Sequence, residues 1–251
     1  MNIGVSLPVE YLSGIDTSHD TEILRAAFGP PERMLATLRA RGVTAIEIKA
    51  MLPHTAPGTV VDAYEAALSF GMSVVLHGYL PPPPLPERLE ASFPPFIMLF
   101  DHLRRQGADI IMVVHAFRDR EFPLAENRGR TEEVLRELGG IFTGRGTTVR
   151  LALELNRAHG RPDPSITWAG VTDMLTRAAR PADGICLDMG HASWNMTRGG
   201  LAEPPPAFLA RVIHTHIHDI GPNATHYPLS AGQVDVAGFV RRLRGAGYAG
   251  A

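Results

Sequence analysis

Short apolar runs alternate with longer amphipathic segments along almost the whole chain. The runs are rich in Val, Ile and Leu, as are parallel strands buried on both faces. They cover residues 2–7, 44–50, 73–79, 109–117, 148–156, 184–192 and 211–219. Strict alternation of strand and helix predicts a parallel sheet with right-handed crossovers, either doubly wound or closed as a (β/α)8 TIM barrel. Because no G-x-G-x-x-G spacing follows the first run, the pattern disfavours a dinucleotide-binding fold.

The segments between the runs carry apolar residues three and four apart, which is typical of helices. They cover residues 20–42, 58–71, 131–142, 165–179 and 234–247. Ser165 follows a Pro-Asp-Pro sequence and is the predicted N-cap of the fourth of these helices. The proline-rich stretch PPPPLP, residues 81–86, is too short to separate domains and is expected to be a stiff loop. We therefore expect a single domain over residues 1–251.

Composition places the chain among ordinary globular proteins and narrows its partners. Hydrophobic residues make up 45% and charged residues 20% of the 251 residues, which excludes a disordered chain. The net charge of −2 provides no long-range attraction for nucleic acid. A single cysteine, Cys186, excludes an internal disulfide framework and a cysteine-based zinc knuckle. No run approaches the roughly 20 apolar residues of a membrane span, and the N-terminus resembles no secretory signal, so we expect a cytoplasmic protein without a membrane partner.

Histidine is concentrated near the end of the chain. The sequence HTHIHDIGPNATH, residues 214–226, holds four of the 11 histidines. A chance cluster, a pH sensor and a metal site are the three interpretations. Strand alternation places an ionisable residue on one common face near the carboxyl end of five runs. These residues are His77, His115, Glu154, Asp188 and His216.

A strand often ends in a polar residue because it is leaving the core, but this does not explain why all five side chains are metal-ligand types. In a barrel, such residues would meet at the carboxyl mouth, where catalytic groups lie. Imidazole and carboxylate together suit Zn²⁺, Mn²⁺, Co²⁺ or Fe²⁺, whereas Mg²⁺ and Ca²⁺ favour oxygen ligands alone. The pattern therefore predicts a divalent-metal site assembled from several strands.

A series of motifs along the chain resembles the xylose-isomerase-like barrel superfamily, which includes sugar-phosphate isomerases and epimerases as well as endonuclease IV. They are LALELN with Glu154, CLDMGHA with Asp188 and His191, HIHD with His216 and Asp219, HYPLSAGQVD with His226, and the pair VLHGYL and VVHAF with His77 and His115. Each motif alone is weak, but their common order and strand-to-strand spacing extend the resemblance over nearly the whole chain.

The resemblance implies a set of metal ligands and one to three ions per chain, with Zn or Mn the expected metals. Glu154, Asp188 and His216 would bind the ion shared by the superfamily. His77 and His115 match positions that hold a second ion in endonuclease IV, together with the bridging glutamate.

The resemblance also implies roles for the remaining histidines. His191 and His226 match the third metal site of endonuclease IV, although Ala224 replaces an aspartate of that site. In the isomerases, the position of His191 more often contacts substrate. His214 and His218 have no ligand role in this pattern, so we expect a core-filling His214 and a loop His218.

The leading functional hypothesis is a metal-dependent isomerase or epimerase that transfers a proton on a sugar, sugar phosphate or hydroxy acid. Glu154 and His191 are its candidate catalytic residues, and Arg157 and Asp219 its candidate substrate-binding residues. Four arginines just beyond the fourth and fifth runs could hold a phosphate or carboxylate: Arg118, Arg128, Arg130 and Arg157.

Two alternatives stay open, a zinc phosphodiesterase of the endonuclease IV type and a non-catalytic barrel that binds a metal or sugar. The expected partner is a small carbohydrate, with a homo-oligomer left open. The superfamily's last metal-binding glutamate ends the eighth strand. Because the chain ends at GYAGA, we also expect that strand and its carboxylate to be missing, with catalysis compromised.

Overall fold

The computed structural model of the protein describes residues 3–15, 19–50, 56, 58–80, 94–229 and 232–248, and the predicted proline-rich loop at 81–86 lies outside them. Seven strands follow one another along the chain, and sequence neighbours pair in parallel within the first three strands and within the last three. They are β1 (Gly4–Pro8), β2 (Ala45–Lys49), β3 (Ser73–His77), β4 (Asp109–Val114), β5 (Thr148–Glu154), β6 (Gly184–Asp188) and β7 (Val212–His216). Each strand begins within two residues of its predicted run, so the predicted strand pattern and the α/β barrel class are confirmed.

The central strands are buried on both faces, as their apolar composition predicts. On β5, Leu151 and Leu153 on one face and Ala152 and Glu154 on the other are all nearly inaccessible to solvent. A second, two-stranded antiparallel sheet was not predicted. It consists of β8 (Asp219–Ile220) and β9 (Thr225–Tyr227), which follow β7 directly.

Helices lie between the strands. They are α1 (Val9–Leu12), α2 (His19–Phe28), α3 (Pro31–Ala40), α4 (Thr59–Ser69), α5 (Pro94–Gln106), α6 (Leu124–Arg145), α7 (Trp168–Ala178), α8 (Met189–Arg198), α9 (Pro206–Leu209) and α10 (Val236–Gly245). In the part of the chain that the structure describes, no helix is both long and apolar enough to cross a bilayer.

Three local predictions differ from the structure. The segment 20–42 contains two helices because Gly29 adopts a positive φ of 82° and Pro31 begins a new helix at its first turn. Ser165 is not an N-cap. The cap of α7 is Thr167, whose Oγ1 accepts a hydrogen bond from the backbone N–H of Gly170 over 3.0 Å.

The third difference affects the candidate site. The run 184–192 is a strand only as far as Asp188, and α8 begins at Met189. The carboxylate of Asp188 caps this helix by accepting the backbone N–H of His191 over 2.7 Å. A capping aspartate stops the strand and starts the helix within one residue, so His191 belongs to a first helical turn and not to a strand.

The chain divides into two compact units. The first consists of the described residues of 1–112 and 140–149, and in it Ala45 pairs in parallel register with Gly4 and with Ser73. The second consists of the described residues of 113–139 and 150–250 and contains β6, β7 and the β8–β9 pair. The expectation of a single domain stays a prediction. Every predicted site residue except His77 belongs to the second unit.

Candidate metal centre

Three predicted ligands of the second unit end neighbouring strands. Glu154 ends β5, Asp188 ends β6 and His216 ends β7, and Asp188 is the register partner of His216. Each offers a ligand atom, and the three atoms lie within 4.8 Å of one another. Nδ1 of His216 is 3.2 Å from Oε2 of Glu154 and 3.8 Å from Oδ2 of Asp188. Strand alternation and register therefore bring these side chains together, as the sequence predicts.

Both carboxylates of this centre are buried, each with 1% of its surface exposed. Burial raises the pKa of Glu154, but the charges of His115 and His216 and hydrogen bonds from His191 and His216 outweigh it and hold that pKa well below its usual range. Burial likewise raises the pKa of Asp188, and the charge of Glu154 adds to this effect. His191 and His218 lower the same pKa by more, so the net shift is downward. Two buried carboxylates that stay ionised need nearby positive charge, which a divalent cation can supply.

His191 lies at the junction of these two carboxylates. Its Nδ1 is 3.2 Å from Oε1 of Glu154, 3.5 Å from Oδ2 of Asp188 and 3.1 Å from the backbone oxygen of Leu155. Three acceptors around one ring nitrogen indicate that Nδ1 carries the proton. Burial lowers the pKa of His191, but Asp188 and then Glu154 raise it by more, so the net shift is upward.

His218, for which the sequence predicts no ligand role, lies directly against the centre. Its Nε2 is 2.9 Å from Oδ1 and 3.0 Å from Oδ2 of Asp188. Gly190 makes room for the ring, because a Cβ at that position would overlap it. The short pair β8–β9 then brings in His226, whose ring stacks on His218 with centroids 4.1 Å apart.

His226 is held in an unusual backbone conformation. Its φ of 66° is the one positive value among the non-glycine residues that the structure describes. Its backbone N–H donates to Nδ1 of His218 over 3.0 Å. Four residues of this region each offer one ligand atom, and these atoms lie within 4.8 Å of one another: Asp188, His191, His218 and His226. The only signal for His218 in the sequence is its place inside HIHD, and that motif alone does not specify where the side chain points.

His115 is held by Asn156, a residue for which the sequence predicts no role. Its Nδ1 is 2.5 Å from Oδ1 of Asn156, and its Nε2 is 3.7 Å from Oε2 of Glu154. Asn156 is buried and donates through Nδ2 to Oδ2 of Asp163 over 2.9 Å. Asp163 in turn accepts two hydrogen bonds, from the N–H and the hydroxyl of Ser165.

His77 belongs to the first unit, where it contacts another buried carboxylate, that of Glu47. Its Nδ1 is 3.2 Å from Oε1 of Glu47, and the same oxygen accepts a 2.8 Å hydrogen bond from Ser6. A carboxylate at Nδ1 is the usual way to orient an imidazole whose Nε2 binds a metal. The predicted ligand role of His77 stays a prediction.

His214 is buried, as expected for a core-filling residue. It is the register partner of Cys186, and its ring lies perpendicular to that of His216, with centroids 5.2 Å apart. Cys186, His214 and His216 also offer ligand atoms within 4.8 Å of one another. His216 thus belongs to more than one group of potential ligands.

The two predicted substrate-binding residues have different surroundings. The guanidinium group of Arg157 is half-buried and lies 5.0 Å from the ring centroid of Trp194. Asp219 is buried, and its carboxylate accepts hydrogen bonds from the backbone N–H groups of Ile220, Gly232, Gln233 and Val234. Burial raises the pKa of Asp219, and these hydrogen bonds lower it by more. In this structure Asp219 therefore holds the segment 232–234 in place.

Comparison with known proteins identifies the family and the fold. The family described as xylose isomerase-like TIM barrel matches residues 35–251. Among solved structures, a D-tagatose 3-epimerase-like protein has a TM-score of 0.67 and 16% identity, over 100% of this chain and 88% of that one. An L-ribulose 3-epimerase has a TM-score of 0.60 and 17% identity, over 100% of this chain and 80% of the other.

A third similar structure is the IolI protein with a bound zinc atom. It has a TM-score of 0.61 and 14% identity, over 99% of this chain and 86% of that protein. No curated protein matches the chain in sequence. At these identities the structural matches establish the shared fold, whereas the activity has to be argued from the site.

Proposed function

Because the chain belongs to the xylose isomerase-like TIM barrel family, we propose that it is a divalent-metal-dependent isomerase or epimerase of a carbohydrate. The observation that carries this proposal is the convergence of Glu154, Asp188 and His216 at the ends of three neighbouring strands. Two of the similar structures are a D-tagatose 3-epimerase-like protein and an L-ribulose 3-epimerase, which supports a sugar as the substrate class.

The donor set fits a transition-metal ion. Two carboxylates and one imidazole suit Zn²⁺ or Mn²⁺, and the zinc bound to the similar IolI protein agrees with that choice. Glu154, Asp188 and His216 would hold the ion. When bound, it would act as a Lewis acid toward the substrate oxygens next to the reacting carbon.

Proton transfer falls to the chain's own side chains. Glu154 is buried and ionised, so one of its oxygens can take a proton from a substrate carbon. His191 holds its Nδ1 proton against Oε1 of Glu154 and the backbone oxygen of Leu155, which orients the ring and leaves Nε2 to contact the substrate. Glu154 is therefore the proposed acid/base, and His191 the residue that positions it and meets the substrate.

The test combines metal content with proton exchange. Protein purified without added metal should contain at least one Zn or Mn ion per chain, and chelation should abolish activity on a panel of ketoses. A working isomerase should also incorporate solvent deuterium at the reacting carbon. Glu154→Gln should lose activity by about a hundredfold or more, the usual contribution of general acid–base catalysis.

The matched control is Glu65→Gln, which removes an exposed carboxylate that contacts His102 over 2.5 Å. This variant should keep the activity and metal content of the unmodified protein. Full activity after chelation, or a metal content that Glu154→Gln does not lower, would refute the proposal.

A specific observation also favours the alternative, a metal-dependent phosphodiesterase. Asp188, His191, His218 and His226 form a second group of ligand atoms, and such hydrolases use two or more ions to activate water and neutralise phosphate. A phosphodiester substrate assay decides between the two. Release of phosphomonoester at a rate that exceeds any sugar isomerisation would favour the hydrolase.

A further inference from the structure

A group of basic side chains lies beside the candidate metal centre. Arg118 follows β4, whereas Arg157, His159 and Arg161 lie in the loop that follows β5; we call these four residues the basic cluster. A guanidinium nitrogen of Arg118 is 3.4 Å from Nε2 of His159. The two loops are therefore in contact through a guanidinium and an imidazole.

The loop after β5 is held rigidly next to the centre. The backbone oxygen of Leu155 accepts from His191, and Asn195 bonds to the backbone of both Asn156 and Ala158 over 2.8 Å each. The Arg157 guanidinium forms a cation–π contact with the ring of Trp194, which lies three residues after His191 on α8. Residues three apart share a helix face, so Arg157 is anchored on the side of α8 that presents His191.

The three arginines of the basic cluster form no ion pair with a carboxylate of the described residues. Among the residues that the structure describes, no carboxylate oxygen lies within 4.0 Å of the guanidinium groups of Arg118, Arg157 or Arg161. Arg128, by contrast, pairs with Glu132 at 3.0 Å and with Asp173 at 3.2 Å. Unpaired guanidinium groups, two of them half-buried, leave positive charge available to a ligand.

Asp163, the carboxylate that acts on His159, is already engaged. Asp163 is buried, and its oxygens accept hydrogen bonds from Asn156 and from the N–H and hydroxyl of Ser165. His159 also shows the excess of positive charge. Burial lowers the pKa of His159 most, and the charge of Arg118 lowers it further. Asp163 raises this pKa, but Arg161 and Arg157 also lower it, so the net shift is downward. A neutral imidazole that accepts from Arg118 carries its proton on Nδ1, and this buried atom has no hydrogen-bond partner among the described residues.

We propose that the basic cluster binds the anionic group of the substrate, a phosphate or a carboxylate, while the candidate metal centre acts on its sugar carbons. Arg157 and Arg118 are the principal ligands, because a planar guanidinium can give two parallel hydrogen bonds to such an anion. This inference rests on the proposed function, since it names the class of substrate for the same site. The basic cluster would favour sugar phosphates and sugar acids over neutral sugars as substrates.

The experiment measures anion binding separately from catalysis. Metal-free protein, prepared by chelation, is titrated with inorganic phosphate and, in a second arm, with acetate. Saturable binding of at least one anion is expected, and it should weaken by about tenfold or more in Arg157→Gln and in Arg118→Gln, as expected for loss of a charge-assisted hydrogen bond. If phosphate binds more tightly than acetate, the substrate is a phosphate ester; if acetate binds more tightly, it is a sugar acid.

Two sets of variants control for folding and for net charge. Arg241→Gln removes the same charge from an exposed position on α10 and should bind anions as the unmodified protein does. Arg157→Lys and Arg118→Lys keep the charge but lose the planar fork of donors, so their anion affinity should lie between that of the unmodified protein and that of the Gln variants. Absence of saturable binding, or equal binding by Arg157→Gln, Arg118→Gln and Arg241→Gln, would overturn the inference. Anion binding that the two variants lose, in a protein inactive on every sugar tested, would reject the proposed function and leave only the anion site at the basic cluster.

Discussion

Nδ1 of His115 lies 2.5 Å from Oδ1 of Asn156, and this contact fixes which nitrogen of the imidazole faces the candidate metal centre. Asn156 donates through Nδ2 to Asp163, so its amide oxygen has to face His115. His115 therefore carries a proton on Nδ1 and directs Nε2 toward Oε2 of Glu154, 3.7 Å away.

The first prediction follows from this contact. Asn156→Ala removes the acceptor for Nδ1–H, so His115 should lose its preference for the Nδ1–H form, and metal affinity should fall about ten- to a hundredfold, the usual cost of losing an outer-shell partner. Nitrogen-15 NMR of the histidine rings reports the tautomer, and titration with zinc reports the affinity.

A conservative variant separates orientation from simple packing. Asn156→Asp keeps an acceptor for His115 and should retain the Nδ1–H form better than Asn156→Ala does. If both variants keep the tautomer and the zinc affinity of the unmodified protein, Asn156 does not position His115.

The second prediction concerns pH. In the metal-free protein the pKa of His191 is raised above its ordinary value of 6.5, so its ion pairs contribute fully below that value, and the contribution is lost as pH rises through the raised pKa. The pKa values of Glu154 and Asp188 are lowered, so their contribution is lost only under acidic conditions. Between about pH 6 and pH 8, these groups should make the metal-free protein less stable as pH rises.

Metal binding has the opposite dependence, because the imidazole ligands have to lose protons to bind a cation. The rise in Tm caused by zinc should therefore grow from about pH 6 to about pH 8. The measurement is thermal unfolding at three pH values across this range, with zinc and with a chelator, which gives the zinc-induced rise in Tm at each pH. A zinc-induced rise in Tm that stays constant or shrinks would contradict the prediction.

The third prediction concerns the space that Gly190 leaves for His218. A Cβ at position 190 would overlap the His218 ring, so Gly190→Ala should push that ring away from Asp188 and destabilise the protein by about 1–3 kcal/mol, as overpacking does. Denaturant unfolding measures the loss, and the number of zinc ions bound per chain shows whether the second group of ligands depends on His218.

The matched control is Gly140→Ala in α6, where a Cβ would meet no atom within 4 Å. It should stabilise the protein by up to about 1 kcal/mol, because alanine is the better helix former. Equal stabilities for the two alanine variants would mean that the His218 ring moves aside without cost.

The sequence by itself determined the strands and brought out the first three candidate ligands. Apolar runs of the right length gave the positions of β1 to β7, and period-two alternation placed Glu154, Asp188 and His216 on one face. These inferences are local: the direction of a side chain in a strand depends on the parity of its position, and parallel register then aligns the ends of neighbouring strands.

Only the tertiary structure decided which other side chains join them. The place of His218 depends on the short β8–β9 pair, on the positive φ of His226 and on the missing side chain of Gly190. None of these follows a period in the sequence, because each is a contact between segments that the chain brings together only after folding. The contact between His115 and Asn156, 41 residues apart, is of the same kind. Sequence periodicity reports which face a residue occupies, whereas the partner across a contact is fixed by packing.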